Sequence, residues 1–283
     1  QFSCRRDHNY AMVVAEPGGS RQFRPQELRL RSRRLYKAPR LNLEYPQLAW
    51  LKALRSAASQ AAAQAMISGV RRRLAYHRMI GAHRLHVTEF ELEMRGLPPS
   101  FDGLRVVHLT DIHHGPWMPL DMVRDVVRIS NSLQPDLVAL TGDYVVNSPR
   151  YIAPVMEELA HLSPRFGSVA VLGNHDWWEG GPQVQQALRE AGIRVIDNSR
   201  CCLTCDGRIV TENEIAPDGS DCALWLAGVG DCWTDCVDLE KALSGLPDGA
   251  PRLVLSHNPE VAEDPRLITS RWRIDLMLSG HTH

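Results

Sequence analysis

The chain has 283 residues, 44% of them hydrophobic and 23% charged, which excludes a disordered chain and leaves room for one large domain or one domain with an appendage. Its formal net charge of -1 conceals an asymmetry: residues 1–84 carry 17 Lys and Arg against 4 acids, and the remainder 15 against 29. That division implies a basic arm joined to an acidic body.

Residues 1–45 mix Pro, Arg and polar residues without a sustained period and read as an extended or disordered arm. From Pro46 to about His83, Leu48, Leu51, Leu54, Ala58, Ala62, Met66 and Val70 recur at three- and four-residue steps, which predicts a helix. Arg71, Arg72 and Arg73 near its end suit the negative pole of a helix dipole. Such a helix either docks on the body or lies on an anionic membrane surface, although its mostly Ala face would hold a bilayer weakly. No signal-peptide core follows Arg5 and Arg6. The uncharged stretch Ser56 to Val70 falls short of the roughly 20 apolar residues that a membrane-crossing helix needs.

The texture changes at Leu85. His86 to Leu92 alternates as a half-buried strand, Leu97-Pro98-Pro99 breaks the chain, and Leu104 to Leu109 reads as a buried strand. A helix over Asp121 to Leu133, a strand over Asp136 to Leu140, a helix over Ile152 to Leu162 and a strand over Ser168 to Leu172 follow. Pro182 to Ala191 is predicted helical, with Pro at its start and Gly192 past its end. Strands are expected at Ile193 to Ile196, Arg208 to Thr211, Ala223 to Ala227, Leu253 to Leu255 and Asp275 to Leu278, with a short helix at Leu239 to Leu246. The alternation gives an α/β fold with antiparallel strands added in the second half.

Seven cysteines are present: Cys4, Cys201, Cys202, Cys205, Cys222, Cys232 and Cys236. The odd count and crowding favour free thiols in a reducing compartment over a disulfide framework. A structural zinc on Cys201, Cys202, Cys205, Cys232 and Cys236 is the alternative, at looser spacing than zinc modules use.

Five buried strands end in polar residues with metal-ligating chemistry. Asp111 and His113 follow the first, Asp143 the second, and Asn174, His175 and Asp176 the third. His257 and the pair His281 and His283 follow the last two. Ligands of open α/β sheets gather beyond the carboxyl ends of strands, so five such ends point to one rim. Taken singly, each residue has a plainer reading: a turn or helix cap for Asp111, Asp143, Asn174 and Asp176, or a core histidine for His257. As an ordered set, hard oxygen and imidazole donors without thiolate suit divalent Mn, Fe, Zn or Co. His108 reads as structural and His114 as a solvated loop histidine. Trp117, Trp177 and Trp178 beside the motifs line either a substrate groove or the core.

Asp-x-His, Gly-Asp, Gly-Asn-His-Asp, Ser-His-Asn and Gly-His-Thr-His, in this order over Leu104 to His283, resemble the calcineurin-like metallophosphoesterase superfamily. The wording around Leu104 to Gly115 and Leu253 to Glu260 most resembles its bacterial YkuE- and YaeI-like branch, whose members are often membrane-associated. The resemblance implies an α/β/β/α sandwich over 85–283, preceded by the basic, partly helical arm 1–84. It implies two divalent metals, one held by Asp111, His113, Asp143 and His283, the other by Asp143, Asn174, His257 and His281, with Asp143 bridging. A metal-bridging water would attack phosphorus, and His175 would contact the phosphoryl group or protonate the leaving oxygen, oriented by Asp176.

The expected activity is hydrolysis of a phosphodiester or pyrophosphate, of a membrane-linked or nucleotide substrate, in the cytoplasm or at the cytoplasmic face of a bacterial inner membrane. A nuclease that grips nucleic acid with the basic arm is the alternative within enzymes, and a non-catalytic binding protein the alternative outside them. The chain starts at Gln1 rather than Met and stops on a proposed ligand, which is the pattern of a fragment.

Overall fold

The structure, a computed structural model, describes residues 11–15, 85, 87–116, 118–215, 221–269 and 272–282. The helix expected over 46–83, Trp117 and His283 lie outside the described residues.

One sheet is built from β1 (Ala11–Ala15), β2 (Thr88–Glu91), β3 (Arg105–Leu109), β4 (Leu137–Thr141), β5 (Gly167–Val171) and β6 (Ile193–Val195), in the order β2-β1-β3-β4-β5-β6. Only the β1–β2 pairing is antiparallel; from β1 to β6 every neighbour is parallel. Helices α1 (Leu120–Ser132), α2 (Ile152–Leu159) and α3 (Asn174–Glu190) make the crossovers that parallel neighbours require. Residues 11–15 depart from the reading of 1–45 as an extended or disordered arm. The run Ala11-Met12-Val13-Val14-Ala15 is apolar and partly β-branched, and it finds strand partners on both edges in β2 and β3.

The second sheet holds β7 (Ser199–Thr204), β8 (Ile209–Val210), β9 (Cys222–Gly228), β10 (Arg252–Ser256) and β11 (Leu276–Ser279), in the order β11-β10-β9-β7-β8. Here β9, β10 and β11 run parallel, while β7 is antiparallel to both β8 and β9.

The two sheets pack face to face. Leu137, Ala139, Val169 and Val171 of the first share one buried cluster with Leu203, Leu224, Leu226, Leu253 and Leu255 of the second. Side chains alternate along a strand, so Val138 and Leu140 point the other way, and they too are fully buried. The covering layer is α1 and α2, which bury Val123, Val126 and Val127 and Val155, Met156 and Leu159. On the far face of the second sheet, Trp225, Ala227 and Val254 pack with Leu239, Ala242 and Leu243 of α4 (Leu239–Leu243). The layers are therefore α/β/β/α. A short α5 (Pro265–Ile268) precedes β11, and among the described residues no helix is long and apolar enough to cross a membrane.

Cys202 of β7 and Cys222 of β9 form a disulfide, which corrects the free-thiol reading for that pair and removes Cys202 from the alternative zinc set. The two strands are antiparallel neighbours and bring the Cα atoms to 5.8 Å, within bridging reach. Cys201, Cys205, Cys232 and Cys236 carry free thiols. Closing a loop between residues 20 apart contributes about 3 kcal/mol by the chain-entropy account. A reductant should therefore lower the melting temperature of the wild type and leave a Cys202→Ala/Cys222→Ala variant unmoved, as differential scanning calorimetry would show.

Candidate metal centre

Parallel strands deliver the donors to one rim. Asp111 and His113 follow β3, Asp143 follows β4, and Asn174 and His175 open α3 just past β5. His257 follows β10 and His281 follows β11. The loops carrying them are locked together by backbone bonds: Asp111 N donates to Gly142 O at 3.0 Å and His113 N to Asp143 O at 2.8 Å. The His281 amide closes the rim by donating to Asp111 Oδ2 at 2.9 Å, across 170 positions of sequence.

Local backbone marks the same residues. Among the described residues seven that are not glycine have positive φ, and four of them are Asp111, His113, Asp143 and His281. A left-handed backbone is sparsely populated by residues with a side chain and persists where surrounding structure over-determines it, most often at functional sites. Two glycines permit the approach. A Cβ on Gly173 would collide with Asp143 Oδ1, and one on Gly280 would collide with Thr110 Oγ1. The glycines of the Gly-Asn-His-Asp and Gly-His-Thr-His motifs are thus clearance for neighbouring loops.

Asp143 sits at the junction of two donor groups. Ligand atoms of His113, Asp143 and His175 lie within 4.8 Å of one another, and so do those of Asp143, His257 and His281. Asp143 Oδ2 is 3.6 Å from His113 Nε2 and 3.3 Å from His257 Nε2, and Asp143 Oδ1 accepts from His175 N at 2.8 Å. Asp111 Oδ1 stands 3.6 Å from His113 Nε2, while its other oxygen accepts from Thr110 Oγ1 at 2.6 Å. Burial pushes the Asp143 carboxyl upward, but His257 first and then His113 and His175 outweigh it and hold the group below its ordinary range.

The tautomer of His257 follows from its surroundings. Nδ1 lies 2.7 Å from the Thr141 carbonyl and donates there, so Nε2 of the neutral ring is an acceptor. That nitrogen faces Asp143 Oδ2 at 3.3 Å, Asn174 Oδ1 at 3.2 Å and His281 Nδ1 at 3.2 Å. The lone pairs of His257 Nε2, Asp143 Oδ2 and Asn174 Oδ1 repel unless a positive charge stands among them. Burial acts to lower the His257 pKa, yet the Asp143 carboxylate outweighs it and raises the group to about 9. A divalent cation meets the same demand for these atoms together, with a carbonyl orienting the ring from behind as metal-bound histidines require. The residues present fit a metal.

The structure brings together Asp111, His113, Asp143, Asn174, His175, His257 and His281. Asp176 differs from its expected role of orienting His175. It is fully buried, and its Oδ2 accepts from Gly173 N at 3.0 Å and Asp143 N at 2.7 Å, its Oδ1 from Tyr144 N at 2.8 Å and Val145 N at 3.3 Å. As the third residue of α3 it caps the helix and pins the Asp143 loop, a positioning role. Burial and the neighbouring Asp143 push its carboxyl well upward, against the pull of the amide donors.

His114 is buried against Tyr151, with Nδ1 2.7 Å from Met118 O, which corrects its reading as a solvated histidine. His108 is buried with Nε2 2.7 Å from Thr141 Oγ1, and burial lowers it to about 4. Sequence reading missed Thr110 and Thr141, whose only signal was a polar residue at the end of a buried strand. It also missed Trp233, whose ring meets His281 edge-on at 4.4 Å.

A two-sheet sandwich that gathers carboxylate, amide and imidazole donors at its strand ends defines a metallohydrolase class of fold. Residues 104–283 match the family of calcineurin-like phosphoesterases, and the chain belongs to that family. It is 31% identical over 205 residues to a transmembrane protein with metallophosphoesterase domain from Danio rerio, covering 70% of this chain and 44% of that one. It is 30% identical over 211 residues to the metallophosphoesterase YkuE of Bacillus subtilis, covering 74% and 68% respectively. Phosphodiesterase YaeI of Escherichia coli is 31% identical over 187 residues, covering 63% and 60%. The chain thus spans less than half the length of the Danio rerio relative.

Proposed function

We propose that the chain is a metal-dependent phosphoric ester hydrolase that cleaves a phosphodiester or pyrophosphate bond at a two-metal centre. The observation that carries this reading is the Asp143 carboxylate shared between two donor groups, one with His113, the other with His257 and His281, with His175 standing beside the first. Asp111 and His283 would complete the first set and Asn174 the second. Cations held there would neutralise charge on the phosphoryl oxygens and lower the pKa of a water to supply the nucleophile. Asn174 and the histidines are neutral donors, so the pocket keeps a net positive charge for an anionic ester.

His175 stands at the mouth of the site, its ring edge-on to His113 at 4.9 Å and part-exposed, where it can contact the phosphoryl group and return a proton to the leaving oxygen. Asp176 acts through the backbone by fixing the Asp143 loop and the start of α3. Similarity to YaeI, a phosphodiesterase by name, supports a diester. The relatives named as transmembrane proteins support action beside a membrane, with residues 85–283 as the catalytic domain and the basic residues 1–84 facing anionic lipid.

Hydrolysis of bis(4-nitrophenyl) phosphate and of 4-nitrophenyl phosphate, with Mn²⁺ and with chelator, tests the reading. The diester should turn over faster, chelator should abolish it, and His175→Ala should lower kcat by about 100-fold or more with metal content unchanged. No turnover in a protein that holds metal would overturn it.

A further inference from the structure

Among the described residues, the large hydrophobic side chains left exposed are Trp178, at 55%, and Trp233, at 60%. Single exposed indoles are ordinary on a protein surface. These two are not scattered. Trp178 meets the ring of His175 edge-on at 4.7 Å, and Trp233 meets His281 at 4.4 Å. Rings then run in contact across the centre, from His175 to His113 at 4.9 Å on one side and from His281 to His257 at 5.0 Å on the other. Trp178 belongs to α3, which follows the first sheet, and Trp233 to the loop after β9 of the second. One indole therefore flanks each donor group.

The loop bearing Trp233 is held unusually firmly for one that displays an indole to water. Asp231, fully buried, accepts through Oδ1 from Trp233 N at 2.9 Å, Thr234 N at 2.8 Å and Thr234 Oγ1 at 2.8 Å. Asn258, next to His257, accepts from Cys232 N at 2.8 Å. Asn198 accepts from Gly230 N and Asp238 N, both at 2.9 Å, and so closes the base of the loop. Fixing a side chain before binding removes the ordering cost from the binding step, which favours a ligand that covers it.

The chemistry of an indole limits what that ligand is. Its π face is electron-rich, so it offers nothing to a bare phosphate oxygen and a large contact to a flat or apolar group. We infer that Trp178 and Trp233 are specificity-determining residues that each cover one organic substituent of the substrate, which makes the preferred ligand a phosphodiester with flat apolar groups on both sides of phosphorus. This rests on the proposed phosphoesterase site and specifies its substrate class. Monoesters engage one indole at most.

The test uses non-hydrolysable anions of equal charge, diphenylphosphinate and dimethylphosphinate, titrated calorimetrically into the full chain loaded with Mn²⁺. Diphenylphosphinate should bind more tightly to the wild type. Trp178→Ala and Trp233→Ala should each weaken it about tenfold while leaving dimethylphosphinate and metal content unchanged, and the Trp→Phe variants should retain most of the affinity. Equal affinity of the wild type for the two anions would overturn the inference. So would alanine variants that bind diphenylphosphinate like the wild type, or that lose both anions together with the metal. Hydrolysis without this discrimination sinks the inference alone, whereas discrimination without hydrolysis of bis(4-nitrophenyl) phosphate sinks the phosphoesterase reading and leaves the two indoles as a ligand site.

Discussion

Asp143→Asn should reduce diester hydrolysis by about 1000-fold or more and strip the protein of bound metal without unfolding it. Asp143 is the donor common to both clusters, so its charge is the one whose loss would touch both cations of the proposed centre. Charge stabilisation by metal ions is worth several kcal/mol in the transition state, and each 1.36 kcal/mol is a factor of about ten in rate. The amide that replaces the carboxylate keeps an oxygen for the His175 N–H, which now donates to Asp143 Oδ1 at 2.8 Å. It also relieves the repulsion between Asp143 and buried Asp176. Melting temperature in the absence of metal should fall modestly at neutral pH, because the Asp143 carboxylate is held below its ordinary range by His257, while elemental analysis shows metal lost. A variant that kept both metals and full activity would remove Asp143 from the bridging position.

The second large effect falls on stability. Asp176→Ala leaves the amides of Gly173, Asp143, Tyr144 and Val145 without the carboxylate that now receives them. An orphaned buried donor costs about 1–3 kcal/mol, and these four share one loop, so the losses do not add fully. A loss of about 3 kcal/mol is expected, the orphaned amides outweighing the relief of repulsion with Asp143, and that is a large part of a typical domain's stability. Urea denaturation of the metal-free protein would show it as a shift in midpoint at unchanged slope. A shift confined to metal-loaded protein would instead place Asp176 at the cation and restore its pairing with His175.

The central strands β3, β4 and β5 of the first sheet, unlike β1, were legible because burial makes them near-continuous apolar runs. Leu137 to Leu140 is a case, with every side chain of β4 buried. β7 was not: Ser199 to Thr204 shows no alternation, and it becomes a strand through pairing with β9 and the Cys202–Cys222 bond. α3 was read as starting at Pro182 because proline suits the first position of a helix and Gly192 stands past its end. The structure starts it at Asn174 and breaks it at Gly180, where φ is +127°. Moving the helix start eight residues earlier is what turns Asp176 from partner of a histidine into a cap. The donors of the site were readable because strand ends address one rim. The residues around them were not, because Thr141 and Asn258 act through bonds to loops distant in sequence.

The division of donors between the two sheets also sets an order of assembly. His113, Asp143 and His175 all follow strands of the first sheet, whose βαβ units close over short stretches of chain. His257 and His281 arrive only with the second sheet, and the His281 amide reaches Asp111 over 170 positions. Contacts of such separation form late, since the entropy of closing the long loop must be met before they contribute. During synthesis or refolding, the donors of the first sheet can gather on a half-built sandwich, and the proposed two-metal centre would be complete only once the sheets have docked. On the proposed reading, metal content would therefore gauge complete folding, and a chain stalled between the two stages would carry a partial, open set of donors.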